Sequence, residues 1–254
     1  MSSSDEMHAA HQTPRRGVFY GVGVGPGDPE LLTMKAFRLI KQASVISYLT
    51  SGKNGSQAKT IARLALAERA ALTDAQEISI NMPMSKDRTL ANKAYDLGAE
   101  QIRTALNAGQ DVLFLCEGDP LFFGSFAYLL ERLEGDFCCE VVPGISSVNA
   151  AACALLTPLT MLKESFAVVS GRHTDAQIEA ALRGHDSVVI MKAGQARQRL
   201  LDLLKRTGRF GDAAYLEYIG RDNQKVIKAL DQLPDEPGPY FSLFVVLPTG
   251  ARSE

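Results

Sequence analysis

The stretch Val18-Phe19-Tyr20-Gly21-Val22-Gly23-Val24-Gly25-Pro26-Gly27-Asp28-Pro29-Glu30-Leu31-Leu32-Thr33 decides the fold class. An apolar, β-branched run passes into alternating glycines, Gly21, Gly23, Gly25 and Gly27, and then into a helix start. The glycines leave the backbone bare and Pro26 stiffens it, so the turn admits a close approach. Asp28 is expected to cap the helix and Pro29 to open it, with Leu32, Ala36, Leu39 and Ala43 along one face. Strand, glycine turn and packed helix are the first step of an α/β sheet.

The same alternation continues outward. Apolar runs at 18–24, 44–49, 77–80, 111–116, 139–142, 166–170, 187–191, 213–217 and 240–247 predict strands, with helical stretches between them. The run from Val112 to Cys116 is apolar at every position, as a parallel strand covered on both faces requires. Pro143-Gly144 breaks the chain after the fifth run, and a small, Ala-rich helix follows.

Composition narrows the class further. Apolar residues are 46% and charged residues 22% of 254, an ordinary globular balance that excludes fibrous and disordered chains. Lys plus Arg number 27 against 29 Asp plus Glu, so no broad basic field invites nucleic acid. No apolar run is long enough for a membrane span. The first 16 residues lack an apolar signal core and read as a disordered tail. Cys116, Cys138, Cys139 and Cys153 have neither zinc nor disulfide-framework spacing, which suits reduced thiols in a cytoplasm.

Three segments carry possible chemistry. The glycine cluster fails the dinucleotide fingerprint, because Pro26 or Asp28 fills the third glycine position, and no ribose-binding acid ends the second strand. Gly52-Lys53 is followed by Asn54, so it is no Walker loop. Cys116-Glu117-Gly118-Asp119-Pro120 lies at the carboxyl end of a buried strand, where α/β sheets bind ligands. Its carboxylates can accept from an amine or hydroxyl, or Asp119 can merely cap a helix. Val141-Val142-Pro143-Gly144-Ile145-Ser146-Ser147 ends a strand in a turn with two hydroxyls, which can cap a helix or touch a ligand. No cluster has metal-ligand spacing and no G-x-S-x-G elbow occurs.

In this order and spacing the three segments resemble the tetrapyrrole methylase family, whose members transfer methyl groups from S-adenosylmethionine. The likeness runs from Gly17 to Leu247. Ile80-Asn81-Met82-Pro83-Met84 with Arg88, the run from Cys116 to Leu133, Ile190-Met191-Lys192, and Pro239-Tyr240-Phe241-Ser242 resemble the branch that methylates precorrin-2 at C(20). Leu49 stands where the uroporphyrinogen methylases of the family carry an aspartate, and their following lysine is missing too.

The resemblance implies two α/β domains, 17–145 with a mostly parallel sheet and 146–250 with a mixed one, and S-adenosylmethionine in the cleft between them. It implies a cytoplasmic homodimer that converts precorrin-2 to precorrin-3A in cobalamin synthesis, releasing S-adenosylhomocysteine. Gly118 and Asp119 would meet the methionine and ribose, with Phe122 beside them. Ser146 and Ser147 would touch the cofactor, Met191 would flank adenine, and the backbone at Ile219 would lie near it. Pro26 and Arg88 would meet the tetrapyrrole; Lys53, Arg172, His173, Lys192 and Arg221 are further candidate cations for its carboxylates. No general base and no metal ligand are nominated. Two alternatives stay open: cobalt-precorrin-2 as substrate, and a non-catalytic tetrapyrrole-binding role.

Overall fold

The computed structural model describes residues 15–52, 55–69, 74–83 and 87–248. Of the expected 1–16 tail, residues 1–14 lie outside the described residues, as do Lys53 and Met84. Arg16 donates to the Asp136 carbonyl at 3.0 Å. The chain divides into two compact units, each assembled from separate segments.

The N-terminal unit holds β1 (Phe19–Gly23), α1 (Met34–Gln42), β2 (Val45–Thr50), α2 (Gln57–Ile61), α3 (Arg63–Arg69), β3 (Gln76–Asn81), α4 (Arg88–Asn107), β4 (Val112–Cys116), α5 (Phe126–Leu133) and β5 (Cys139–Val142). Its sheet has the order β3-β2-β4-β1-β5, with parallel pairing of β1 with β5 and of β2 with β3 and β4. Every residue of β4 is buried, which explains its unbroken apolar run. Helix α4 buries Tyr95, Gly98, Ala99, Ile102, Ala105 and Leu106, a helical stripe. A Cβ on Gly98 would lie 2.4 Å from Ile80 Cδ1, so this glycine lets α4 close onto β3. Gly21 serves packing as well: a Cβ there would meet the Phe126 ring at 2.6 Å. Phe126 in turn stacks beside Phe19 and Phe114.

The helix expected from Asp28 starts later. Asp28 caps only a single tight turn, Pro29–Leu31, by accepting from Glu30 N at 2.9 Å. Leu32 is extended (ψ 134°), and the α-helix begins afresh at Met34. Ala36, Ile40 and Ala43 are buried, whereas Leu39 is only half-buried. The extended residue resets the helical phase, which a periodicity count carried through Leu32 does not see.

The C-terminal unit comprises Gly23–Met34, Glu117–Gly124 and Pro143–Glu254. Its elements are α6 (Ser147–Leu155), β6 (Phe166–Ser170), α7 (Asp175–Gly184), β7 (Ser187–Met191), α8 (Arg197–Arg206), β8 (Ala213–Glu217), β9 (Lys225–Ile227) and β10 (Ser242–Val246). The sheet order is β6-β7-β10-β8-β9, parallel only between β6 and β7, hence mixed. Alternate residues feed two cores. Val188, Ile190, Tyr215 and Phe244 pack with Ile178, Leu182, Leu200 and Leu204 of α7 and α8. Val189, Leu216, Leu243 and Val245 pack with Val148, Ala151 and Leu155 of α6. The expected strand at 240–247 is shorter, because Ser242 turns back on Tyr240 O and Pro239 O before pairing begins. Strand β9 was not expected from sequence: it has three residues, two of them exposed.

Candidate functional site

The glycine loop, the acidic loop and the Pro-Gly turn all belong to the C-terminal unit, and they meet backbone to backbone. Gly25 and Gly118 exchange hydrogen bonds, N to O at 3.3 and 2.8 Å. A Cβ on Gly23 would lie 2.6 Å from Gly144 Cα, and one on Gly144 would lie 2.1 Å from Gly118 O. At Gly23 and Gly144 only glycine permits this approach, since the obstructing atoms are main chain. Asp119 completes the joint: Oδ1 accepts from Leu121 N at 2.9 Å and Oδ2 from Gly144 N at 3.1 Å.

Around this joint the backbone is strained. Phe123, Lys192 and Tyr218 have positive φ (55°, 55° and 51°) without being glycine. Such conformations cost about 1–3 kcal/mol each and persist where surrounding contacts over-determine them. Lys192, just after β7, donates to Phe123 O at 3.1 Å. Tyr218, just after β8, donates its N–H to Phe241 O at 2.8 Å. Arg221 lies 4.0 Å from the Phe241 ring centroid and 3.8 Å from Glu117. Gly27 packs against the same turn, for a Cβ there would meet Arg221 Cγ at 2.6 Å.

The charges are desolvated. Burial pushes Glu117 up to about 7, against the opposing pull of Arg221 and Lys192. Its side chain nevertheless keeps 37% of its exposure, so the residue is densely surrounded without being sealed off. Burial, then Arg172, lowers Lys192, while Glu117 opposes both. Burial also lowers Arg221 against the pull of Glu117.

Most of the expected site residues lie in this unit. Gly118 (φ 66°) sits in the joint, and the space over its Cα is open: a Cβ would find nothing nearer than Ile145 O and Ser146 Cα at 3.9 Å. Ser146 caps α6 by accepting from Asn149 N, and it donates to Asn149 Oδ1 at 2.7 Å. Ser147 is the first residue of α6, and Met191 ends β7, half-buried. Ile219 is buried in the α6-facing core. Phe122 is partly exposed, edge-on to Phe123 at 5.3 Å. Pro26 is buried, with Cγ 3.4 Å from where a Gly220 Cβ would stand. Arg172 is exposed and His173 half-buried.

Arg88 belongs to the N-terminal unit, at the start of α4. Its guanidinium lies 5.2 Å from the Tyr128 ring centroid and donates to Tyr128 Oη at 3.3 Å. Among the described residues no carboxylate pairs with it. Sequence reasoning missed Phe123, Tyr218, Gly220 and Phe241. Gly220 (φ 77°) alone carried a local signal; the others are placed by long-range packing. A hollow of about 410 Å³ elsewhere on the C-terminal unit, lined by Ser165, Arg183, His185 and Arg209, holds none of the site residues. Arg209 is already engaged there with Asp212 and three carbonyls.

The sequence profile of the Tetrapyrrole (Corrin/Porphyrin) Methylases matches residues 18–234. The chain belongs to this family. Within the methylases, it is 33% identical to the precorrin-2 C(20)-methyltransferase of a Sinorhizobium species, over 91% of this chain and 95% of that one. It is 36% identical to the cobalamin biosynthesis protein CobIJ of Mycobacterium bovis over 93% of its own length, but spans only 47% of that relative. Among solved methylase structures it is similar to the uroporphyrin-III C-methyl transferase of Thermus thermophilus complexed with S-adenyl homocysteine. The TM-score is 0.64 and the identity 26%, covering 91% of this chain and 97% of that one. The chain thus spans about half the length of the mycobacterial relative and nearly all of the other two.

Proposed function

We propose that this methylase transfers a methyl group from S-adenosylmethionine to C(20) of precorrin-2, giving precorrin-3A in cobalamin synthesis. The observation that carries the reading is the glycine joint, where the segments holding Gly23, Gly118 and Gly144 close on one another and leave open backbone over Gly118. The end-to-end likeness to the Sinorhizobium enzyme supports the choice of substrate.

The residues fit the cofactor. The space over Gly118, bounded by Ile145 O and Ser146 Cα, is a cradle that any side chain at Gly118 would fill. Gly118 and Asp119 would hold the methionine and ribose portions, Phe122 would pack beside them, Ser146 and Ser147 would contact the cofactor, Met191 would flank the adenine, and Ile219, its side chain in the core, would offer its backbone near the adenine. Bound there, S-adenosylmethionine supplies a methyl group already activated on a sulfonium. The chain's task is then alignment, which in well-oriented systems removes about 7–11 kcal/mol of barrier. Asp119 holds the acidic loop and the Pro-Gly turn in register through its two backbone bonds. Preset backbone dipoles around Gly118 accommodate the loss of positive charge without solvent reorganisation.

Arg88, held on Tyr128 and unpaired with any described carboxylate, offers its guanidinium to a substrate carboxylate. Pro26, buried beside Gly220, would meet the tetrapyrrole from the C-terminal unit. The protein acts as a cytoplasmic homodimer; no disulfide joins Cys116, Cys138, Cys139 and Cys153, which agrees with a reducing compartment, and the homodimer rests on family likeness. The deciding experiment is incubation with methyl-labelled S-adenosylmethionine and precorrin-2, with NMR location of the label. Label at C(20) is expected; label at another carbon refutes the regiochemistry, and no label favours a non-catalytic role. Cobalt-loaded precorrin-2 in parallel separates the two substrate forms by their turnover.

A further inference from the structure

We propose that Glu117 is the catalytic residue that accepts the C(20) proton when the methyl group is transferred, an assignment that rests on the methylation reading above. The chemistry demands an acceptor. C(20) forms a bond to the methyl carbon as the methyl–sulfur bond breaks, its electron pair remaining on sulfur. The C(20)–H bond then breaks, its pair returns to the conjugated framework, and the proton passes to a base. The net products are the methylated tetrapyrrole, the thioether and one proton.

The geometry singles out one group in the joint. Asp119 already accepts a backbone N–H on each oxygen and holds two loops together. Lys192 donates to Phe123 O and carries its own proton. Arg221 is a cation stacked on Phe241. Glu117 immediately precedes Gly118, its cationic neighbour Arg221 stands at 3.8 Å, beyond hydrogen-bond reach, and its side chain remains 37% exposed. A carboxylate that no hydrogen bond occupies among the described residues, and that is not sealed off, can take a proton and release it to solvent.

Its environment matches the task. Arg172 after β6 acts on Lys192 and lowers it, and two cations from separate connections act on Glu117 itself: Arg221 after β8 and Lys192 after β7. Together they temper a burial that raises Glu117 to about 7, so the carboxylate is present at neutral pH without being a feeble base. Glu117 and Arg221 also tie the acidic loop to the β8–β9 turn, which keeps the carboxylate in place.

The test uses the full chain with Glu117→Gln and Glu117→Asp. Wild-type kcat is expected to rise with pH to a plateau above about 7. Glu117→Gln should lower kcat by about 10²–10⁴-fold and abolish that limb. Glu117→Asp should restore part of the rate and the limb with it. Affinities for S-adenosylhomocysteine and precorrin-2, read by calorimetry, should stay within about threefold of wild type, because the loss lies in the chemical step. With deuterium at C(20), the glutamine variant should show a primary isotope effect larger than wild type. Arg221→Gln should move the limb to higher pH, since the removed cation favours the ionised acid. If the wild-type chain methylates precorrin-2 and Glu117→Gln does so within about threefold with its limb intact, the assignment is overturned alone. A rate loss accounted for by lost ligand affinity overturns it as well. A wild-type chain that adds no methyl overturns the functional reading and this assignment together.

Discussion

Asp119 and Arg88 sit at opposite extremes of commitment, and substitution should expose the difference. Both oxygens of Asp119 are engaged by backbone N–H groups, so Asp119→Ala strands the part-buried Gly144 donor at about 1–3 kcal/mol, while the exposed Leu121 donor can turn to water. Affinity for S-adenosylhomocysteine should fall at least about 100-fold by calorimetry, the equivalent of about 2.7 kcal/mol; retained affinity would remove Asp119 from the cofactor site. Among the described residues Arg88 makes only a ring contact and one hydroxyl bond. Arg88→Ala should therefore leave cofactor affinity intact while weakening precorrin-2 by about 10–100-fold, the worth of one charged hydrogen bond. Unchanged precorrin-2 affinity sinks that role. Glu117 adds a pH signature in the ligand-free protein. Its folded pKa is raised, so protons stay bound on folding between its unfolded value and about 7, and stability falls as pH rises through that window. The melting-temperature gain of Glu117→Gln should be absent near the unfolded value, grow as pH rises, and level off above about 7. A gain independent of pH would contradict the raised pKa.

At the scale of elements, legibility follows burial. Strands β4, β7 and β8 could be read because their residues are almost all buried, leaving an unbroken apolar signature. Strand β9 could not, since Lys225 and Val226 are exposed and only antiparallel pairing with β8 makes it a strand. The Asp28 cap was legible, but the extended Leu32 behind it was not. The site divides in the same way. Four alternating glycines signalled close approach, yet the partners of Gly23 and Gly25 lie far along the chain at Gly144 and Gly118. Gly21, from the same cluster, turned out to accommodate the Phe126 ring. Glycine substitution separates these roles. In Gly144→Ala the new Cβ would meet Gly118 O at 2.1 Å, and main chain on both sides leaves it nowhere to go. Thermal unfolding should show about 1–3 kcal/mol of destabilisation, with loss of S-adenosylhomocysteine binding. Gly135→Ala, with nothing within 4 Å of its Cβ, serves as the control. Equal behaviour of the two variants would show that the loops do not need their close approach.

At the scale of the whole molecule, chain order and unit membership diverge, and this divergence has an observable consequence. The loop that follows β1 and the loop that follows β4 leave their own sheet and make their contacts with the C-terminal unit, beside the turn that follows β5. All seven residues expected to hold the cofactor, Gly118, Asp119, Phe122, Ser146, Ser147, Met191 and Ile219, therefore fall in one unit, whereas Arg88 falls in the other. A ligand that binds only the folded state protects most strongly the segments it orders, by about 2.7 kcal/mol at 100 times its Kd. Hydrogen exchange with S-adenosylhomocysteine should then slow amides at Gly23–Met34, Glu117–Gly124 and the start of α6, three segments distant in sequence, with one common dependence on ligand concentration. The amides of β2, β3 and α4 should change far less, because opening there does not pass through the glycine joint. Adding precorrin-2 should extend protection to the first turn of α4, where Arg88 sits, and Arg88→Ala should cancel that second increment alone. Protection by S-adenosylhomocysteine spread evenly over both units would mean that the two unfold as one cooperative body, and protection confined to the N-terminal unit would place the cofactor away from the joint altogether.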